Sequence, residues 1–199
     1  MPALPRNEHR APLAVLVGGA PGSGKTTLAD ALGVSLDLPV LHKDQLVHGR
    51  WRTLDRATEL GESGVRPFFE SMELWARAGV SFVAEQTFYP RISERDVSEH
   101  LVPMASVVQV HCYSGDSLRR WERRMRLDPL CGDARLAKLK PVVQRLTKEL
   151  TEPLDFKCRT FTINTDDGYR PALGELVAEI DAGYSRPTFH ELDRSPPGK

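Results

Sequence analysis

One segment of the sequence has glycine, lysine and threonine residues spaced for binding phosphate. Residues 19–26 are GAPGSGKT, so Gly19, Gly24, Lys25 and Thr26 satisfy the pattern Gly-x-x-x-x-Gly-Lys-Ser/Thr. The glycines allow backbone N–H groups to turn around phosphate oxygens, and a following helix directs the positive end of its dipole at the same anion. A chance match in a chain of this length has a probability on the order of 1%. The segment therefore predicts a site for a nucleoside triphosphate.

The residues of this loop have different expected tasks. We expect Lys25 to reach the β- and γ-phosphates, and the hydroxyl of Thr26 to bind Mg²⁺. The residues of the loop that are predicted to bind the nucleotide are Gly19, Ala20, Pro21, Gly22, Ser23, Gly24, Lys25, Thr26 and Thr27.

Asp44 lies at the end of the second predicted strand, in the segment HKDQL. Doubly wound sheets bind their ligands at the carboxyl ends of the strands, so this carboxylate is the candidate base for the proton of an acceptor hydroxyl. The alternative is that Asp44 caps a helix, because Asp is common at that position. His42 and Lys43 are predicted to flank the substrate, with a direct contact to it as the alternative.

Glu85 follows the apolar run SFVA at the end of the third predicted strand. A kinase-like sheet order places this strand beside the phosphate-binding loop, where a carboxylate would hold Mg²⁺ through water or share with Asp44 the binding of the acceptor. The alternative is an ordinary acid at the edge of the sheet. For Gln86, Thr87 and Arg91, a contact with the acceptor and a plain role as polar loop residues are weighed equally.

Five arginines occur within eight residues of the helix predicted after the fourth strand. At about 100° per residue, Leu118, Trp121 and Met125 share one face of this helix and the arginines lie off it. Guanidinium groups suit bidentate contacts to a phosphoryl group, so the cluster is predicted to bind phosphate, with a solvated basic face as the alternative. The arginines are Arg119, Arg120, Arg123, Arg124 and Arg126.

Short apolar runs alternate with segments of helical periodicity, which predicts an α/β domain. The runs are continuously apolar, as is typical of parallel strands that are covered on both faces. We predict a three-layer, doubly wound, five-stranded parallel sheet. The strands are expected at 13–17, 39–42, 80–84, 106–112 and 160–164, and the helices at 25–36, 66–78, 91–102, 116–126, 134–150 and 170–182.

The composition limits the classes of function. The 199 residues suit one domain, predicted at 13–184, between proline-broken tails at 1–12 and 185–199. The 27 basic residues balance the 27 acidic residues, so no overall field attracts a membrane or a long nucleic acid. No run approaches the roughly 20 apolar residues of a membrane span, and the N-terminus lacks a signal-peptide core. These features predict a cytoplasmic protein, with a monomer as the default.

The cysteines and histidines are scattered through the sequence without metal-ligand spacing, so no structural metal is predicted. The cysteines are expected to be reduced, buried thiols: Cys112, Cys131 and Cys158.

The segments GAPGSGKT, HKDQL, FVAEQTF and LRRWERRMR together resemble the small P-loop kinases. This group includes nucleoside monophosphate, shikimate and gluconate kinases, chloramphenicol phosphotransferase, zeta toxins and polynucleotide 5′-kinases. The resemblance extends over nearly all of residues 13–182 and implies that Asp44 is the acceptor base. It also implies that Arg120 and Arg124 belong to a helical lid, at about 114–140, that closes on the phosphates. Glu-Gln-Thr replaces the Asp-Gly pair of many nucleotide kinases, which disfavours a nucleoside monophosphate acceptor.

The resulting prediction is a kinase that uses ATP or GTP with Mg²⁺ and phosphorylates a hydroxyl of a small molecule, such as an antibiotic, a sugar or a nucleoside-like compound. One alternative is a kinase acting on the 5′-hydroxyl of a short nucleic-acid end. Alternatives from other classes are a regulatory ATPase or GTPase switch and a non-catalytic nucleotide-binding module. No obligate protein partner is evident, and residues 47–67 are expected to form the wall of the acceptor pocket. The predicted catalytic residues are Lys25, Asp44, Glu85, Arg120 and Arg124; Arg120 and Arg124 also count as nucleotide-binding residues, and Thr26 and Glu85 as ligands of Mg²⁺.

Overall fold

The computed structural model of the protein describes residues 11–46, 64–128 and 133–184. The strands in these ranges are β1 (Leu13–Gly19), β2 (Val40–His42), β3 (Phe82–Glu85), β4 (Ser106–Tyr113) and β5 (Arg159–Asn164). The helices are α1 (Lys25–Leu36), α2 (Val65–Arg77), α3 (Ser93–His100), α4 (Ser117–Leu127), α5 (Asp133–Glu149) and α6 (Leu173–Gly183), and residues 43–46 are also helical. Every predicted strand and helix is present, with ends that differ by a few residues.

All the strand pairs in the sheet are parallel, and the strand order is β2-β3-β1-β4-β5. This arrangement confirms the predicted doubly wound sheet. It also places β3 beside β1, as expected for the strand that ends in Glu85. The register aligns Val17 with Glu85 on one side of β1 and Gly19 with Cys112 on the other. The carboxyl ends of these strands therefore meet at one edge of the sheet.

The central strand is buried on both faces. Val15 and Val17 of β1 pack with α1 and α6, whereas Ala14 and Leu16 pack with α2 and α3. Successive side chains of a strand point to opposite faces, so a strand covered by helices on both sides needs apolar residues at every position. This packing explains why the run LAVLV is continuously apolar rather than alternating.

The cysteines differ in their burial. Cys112 is fully buried in β4, and this burial raises the pKa of its thiol to about 12. Cys158 is only half-buried, so the prediction of a buried thiol was wrong for this residue. It comes immediately before β5, where one side of the chain stays open to solvent. Cys131 lies outside the described residues.

Several expectations concern segments of which the structure describes little or nothing. The predicted tails are outside the described ranges except for residues 11 and 12, and so is most of the expected acceptor wall at 47–67. Within the described ranges, no helix has the length and apolar character needed to cross a membrane.

Candidate active site

The phosphate-binding loop connects the end of β1 to the start of α1. Gly22 and Gly24 have φ angles of 81° and 85°, in the left-handed region that favours glycine. A Cβ atom on Gly22 would lie 2.0 Å from the carbonyl oxygen of Ser117, and one on Gly24 would lie 3.1 Å from Oγ1 of Thr165. Glycine is therefore required here because α4 and the loop after β5 both approach the phosphate-binding loop closely.

The loop leaves polar groups without a partner at the start of α1. No side chain of residues 11–46, 64–128 or 133–184 caps this helix, so its first N–H groups are open to an anion. The hydroxyl of Ser23 is buried and has no hydrogen-bond partner within the described part of the chain. Thr26 and Thr27 are exposed in the first turn. These features fit a bound phosphate, and the exposed hydroxyl of Thr26 is a suitable oxygen ligand for Mg²⁺.

Lys25 lies at the centre of the candidate site and is 9% exposed. Its Nζ atom is 3.4 Å from the carbonyl oxygen of Ala20 and 3.8 Å from Oε1 of Glu85. Burial lowers the pKa of Lys25, the negative charges of Glu85 and Asp44 oppose that shift, and the positive charge of Arg124 adds to it. Residues of three separate segments therefore act on the same ammonium group.

Glu85 is buried at the end of β3, with 5% of its surface exposed. While Oε1 faces Lys25, Oε2 is 3.0 Å from Nδ1 of His42, the residue that pairs with Glu85 across β2 and β3. A carboxylate held between two basic groups is unlike an ordinary acid at the edge of a sheet. Its predicted contact with Mg²⁺ through water stays a prediction.

His42 links Glu85 to a second carboxylate that sequence reasoning missed. Its Nε2 atom is 2.9 Å from Oδ1 of Asp30 in α1. Ionised carboxylates only accept hydrogen bonds, so His42 makes both bonds only when both ring nitrogens carry a proton and the ring is positively charged. Burial alone would lower the pKa of His42, but the hydrogen bonds to Glu85 and Asp30 outweigh it and raise the pKa.

One feature of the sequence weakly indicates that Asp30 has a role in the site. Asp30 is the only charged residue between Lys25 and Asp37, in a helix whose other residues there are small, apolar or hydroxylated. The partner of Asp30 cannot be read from the sequence, because the position of the end of β2 relative to α1 depends on the strand order, here β2-β3-β1. His42 was expected to flank the substrate, whereas the structure places it between the two carboxylates.

Asp44 is the second residue of the helical segment 43–46, so it does not occupy the N-cap position that was considered as an alternative. Its side chain is 74% exposed, and its Oδ1 atom is 3.0 Å from Nζ of Lys43. The carboxylate is thus accessible to an acceptor and close enough to influence Lys25. Its role as the base stays a prediction.

The two arginines predicted to contact phosphate have different surroundings. Arg124 is exposed and contributes to the electrostatic environment of Lys25. Arg120 instead donates hydrogen bonds to the carbonyl oxygens of Thr165, at 2.9 Å, and Asp166, at 2.8 Å. Arg120 therefore joins α4 to the loop after β5, and its contact with phosphate stays a prediction. Another arginine of the cluster, Arg119, forms an ion pair with Asp116, the residue directly before α4.

Thr165 connects this loop to the phosphate-binding loop, although the sequence predicted no role for its side chain. Its hydroxyl donates to the carbonyl oxygen of Ser23 at 2.7 Å. The neighbouring Asp166 accepts hydrogen bonds from Ser114, Asn164 and the backbone of Gly115, which lower the pKa of its carboxyl to about 2. The loop after β5 thereby holds the start of the predicted lid as well as the phosphate-binding loop.

The residues after β3 are spread between the core and the surface. Gln86 is buried, Thr87 is half-buried and Arg91 is exposed. Their predicted contacts with an acceptor stay predictions.

A loop of this sequence and geometry at the end of the central strand of a 2-3-1-4-5 parallel sheet defines a P-loop fold of the small-kinase type. In the comparison with protein families, the model named zeta toxin matches residues 3–48, a segment that contains both the loop and Asp44. No curated protein matches the sequence.

Several solved structures with the same fold carry the names of kinases. A candidate kinase from Chloroflexus aurantiacus J-10-fl is 20% identical with a TM-score of 0.71, over 87% of this chain and 96% of that one. A gluconokinase from Sinorhizobium meliloti 1021 is 19% identical with a TM-score of 0.55, over 88% and 93%. The APS kinase CysC of Mycobacterium tuberculosis, in complex with AMPPNP and APS, is 20% identical with a TM-score of 0.52, over 87% and 96%. These comparisons confirm the predicted resemblance and the P-loop kinase fold.

Proposed function

We propose that the protein is a kinase that transfers the γ-phosphoryl group of ATP to a hydroxyl group of a small molecule. The observation that carries this proposal is the environment of Lys25, whose ammonium group is influenced by Glu85, Asp44 and Arg124. A loop that only stores a nucleotide does not need an exposed carboxylate and an exposed arginine whose charges act on its lysine. The same set of groups suits phosphoryl transfer, in which positioning and charge stabilisation supply most of the catalysis.

Each of these residues has a task in the proposed reaction. Lys25 and the N–H groups at the start of α1 bind the phosphates, and Arg124 offsets negative charge on the transferred group. Asp44 orients the acceptor hydroxyl and takes its proton as the new bond from oxygen to the γ-phosphorus forms. The bond from that phosphorus to the bridging oxygen of ADP breaks, and the electron pair leaves with ADP. Thr26 would hold Mg²⁺, which neutralises phosphate charge when it is bound.

A small acceptor is supported by the charge of the chain and by the names of the structures that share its fold. The formal net charge is zero, which gives no long-range attraction for an extended polyanion. The gluconokinase and the APS kinase are named for small substrates that carry hydroxyl groups.

The proposal is tested by incubating the protein with γ-labelled ATP and Mg²⁺ and with a panel of antibiotics, sugars, nucleosides and 5′-hydroxyl oligonucleotides. We expect label on one class of small molecule. Asp44→Asn should lower the rate of that transfer by about 10²–10⁴-fold, the usual contribution of a general base. The affinity for ATP, measured by calorimetry, should stay within about threefold, because a contact made only in the transition state does not change ground-state binding.

The matched control is Asp155→Asn, which removes an exposed carboxylate in the loop before β5 and should leave the transfer rate unchanged. Label on oligonucleotides alone would favour the 5′-hydroxyl kinase. Hydrolysis of ATP at one rate with every acceptor and with none would favour the regulatory switch and contradict the proposal. Undiminished transfer by Asp44→Asn would remove Asp44 from the role of base.

A further inference from the structure

Four ionisable side chains form a continuous chain of contacts behind the phosphate-binding loop. Asp30 contacts His42 at 2.9 Å, His42 contacts Glu85 at 3.0 Å, and Glu85 contacts Lys25 at 3.8 Å. Two carboxylates alternate with two basic groups, so the charges of the chain cancel when the His42 ring is protonated. Three members are buried, whereas the side chain of Asp30 is 62% exposed and connects the chain to solvent.

This arrangement has a consequence for the binding of phosphate. Glu85 contacts two basic groups, Lys25 at 3.8 Å and His42 at 3.0 Å, and because His42 also contacts the carboxylate of Asp30, both of its ring nitrogens must donate and the ring is positively charged. When Lys25 bonds to the phosphates, its interaction with Glu85 weakens. A buried carboxylate left without any partner would be costly, because burial of an unpaired charge carries a large desolvation penalty. If Glu85 had no second partner, it would therefore compete with the phosphates for Lys25.

We infer that His42 is a positioning residue that serves as the permanent counter-ion of Glu85, so that Lys25 is released to bind the phosphates of the nucleotide. Asp30 supports this role by accepting the second hydrogen bond of the ring, which fixes its orientation. The inference rests on the nucleotide-binding part of the proposed function and is independent of the acceptor.

The contact lengths support this division of tasks. The 3.0 Å separation of His42 and Glu85 is a full hydrogen bond, whereas the 3.8 Å separation of Lys25 and Glu85 is an ion pair without one. Lys25 also has the carbonyl oxygen of Ala20 at 3.4 Å, inside the loop that is expected to hold the phosphates. Glu85 is therefore bound more firmly to His42 than to Lys25, and Lys25 already lies at the loop.

The experiment measures the affinity for ATP by calorimetry, without an acceptor and with EDTA, so that neither transfer nor a metal affects the result. His42→Asn keeps an N–H group that can donate to Glu85 but removes the positive charge. We expect ATP to bind about tenfold more weakly, the ratio that a modest change in charge pairing produces. Asp30→Asn keeps an oxygen that can accept from the His42 ring but removes the negative charge, so the ring is held less firmly. We expect this variant to weaken ATP binding by about threefold.

The decisive variant is the double substitution His42→Asn with Glu85→Gln. If Glu85 competes for Lys25 once His42 has lost its charge, then neutralising Glu85 restores ATP affinity to within about twofold of Glu85→Gln alone. A general structural defect from His42→Asn would not be repaired in this way. The matched control is His100→Asn, because His100 also contacts a carboxylate, that of Glu73 at 3.3 Å, but lies at the end of α3.

Each outcome supports or overturns the inference. Weaker binding by His42→Asn that the second substitution restores, with His100→Asn like the wild type, supports it. The inference is overturned if His42→Asn binds ATP as tightly as the wild type. It is also overturned if His42→Asn weakens ATP binding by the same factor in the wild-type and in the Glu85→Gln background. If His42→Asn does not fold, Asp30→Asn is measured with and without Glu85→Gln instead. Wild-type ATP affinity of Asp30→Asn, or a loss that Glu85→Gln does not repair, then overturns the inference. Absence of transfer to every acceptor would overturn the proposed kinase activity and leave these binding measurements interpretable.

Discussion

The two sides of the central strand hold the phosphate-binding loop by different kinds of contact. On the side of β3, the ionic flank consists of Asp30, His42, Glu85 and Lys25, and its contacts join side chain to side chain. On the side of β4 and β5, the backbone flank consists of Arg120, Thr165 and Ser23, and its contacts end on carbonyl oxygens.

This difference separates the part of the site that can respond to a ligand from the part that holds it in place. Charges on the ionic flank can be redistributed when an anion arrives, because Lys25 can exchange one negative partner for another. Carbonyl oxygens of the backbone flank have no alternative charge state, and their bonds fix the separation of three chain segments. The variants of Arg120 and Thr165 below test whether the backbone flank supplies stability, and the ATP affinities of the His42, Asp30 and Glu85 variants test whether the ionic flank supplies binding.

The largest effect on stability is expected from Arg120→Ala on the backbone flank. The guanidinium group bonds to two carbonyl oxygens of the loop after β5, and hydrogen bonds from a charged donor contribute more than neutral ones. We expect the free energy of unfolding, measured by urea denaturation, to fall by about 2–3 kcal/mol. Arg119→Ala is the matched control, because that arginine is exposed and should change stability by less than about 0.5 kcal/mol.

A different result for Arg120→Ala would assign Arg120 a different role. Unchanged stability together with lost ATP affinity would mean that Arg120 acts on phosphate, as the resemblance to P-loop kinases implies, and that its bonds to the loop contribute little.

The fold was predictable from the sequence because the signals that define it are local and repeated. The run LAVLV predicts a strand buried on both faces, and the segment that follows it matches the phosphate loop in both spacing and context. The arginine helix was also placed correctly: Trp121 is buried, and four of the five arginines are exposed.

The contacts between distant segments were not predictable. Asp30, His42 and Glu85 come from a helix and two strands, and nothing in their spacing along the chain shows that they meet. The same is true of Thr165, whose hydroxyl reaches the backbone of Ser23 across 142 positions of sequence. Nor did the sequence indicate that Arg120 bonds to the carbonyl oxygens of Thr165 and Asp166, because a basic residue on an exposed helix gives no sign of a carbonyl partner in another loop.

Thr165→Val should have a smaller effect, because it removes one neutral hydroxyl of the backbone flank, which donates to the carbonyl oxygen of Ser23 at 2.7 Å and accepts a longer hydrogen bond from Arg120 at 3.3 Å. Valine has nearly the same shape as threonine, so the substitution leaves the carbonyl oxygen of Ser23 without its donor while preserving the packing against Gly24. We expect the free energy of unfolding to fall by about 1–2 kcal/mol. Thr165→Ser keeps the hydroxyl and should lose less. Equal losses for the two variants would mean that packing of the methyl group, rather than the hydrogen bond, joins the loops.

The remaining effect is on the pH dependence of stability and concerns His111 of β4, which differs from His42 in having no charged partner at hydrogen-bond distance among the residues that the structure describes. Nε2 of His111 is buried and has no hydrogen-bond partner among the described residues. Burial lowers the pKa of this ring, against smaller opposing effects of a Thr151 backbone hydrogen bond and the charge of Glu152. Below a pH of about 6.5 the unfolded chain therefore binds a proton that the folded protein binds less readily.

The pH dependence of stability follows from this difference in proton binding. The folded state should lose stability as the pH falls from about 6.5 towards the lowered pKa of His111, by at most about 1.4 kcal/mol per pH unit. His111→Leu removes the titrating ring, so its free energy of unfolding relative to the wild type should rise between pH 7 and pH 5. His42 is present in both proteins and its opposite shift cancels in the comparison. A constant difference across this pH range would mean that His111 accepts a proton in the folded protein as easily as in the unfolded chain.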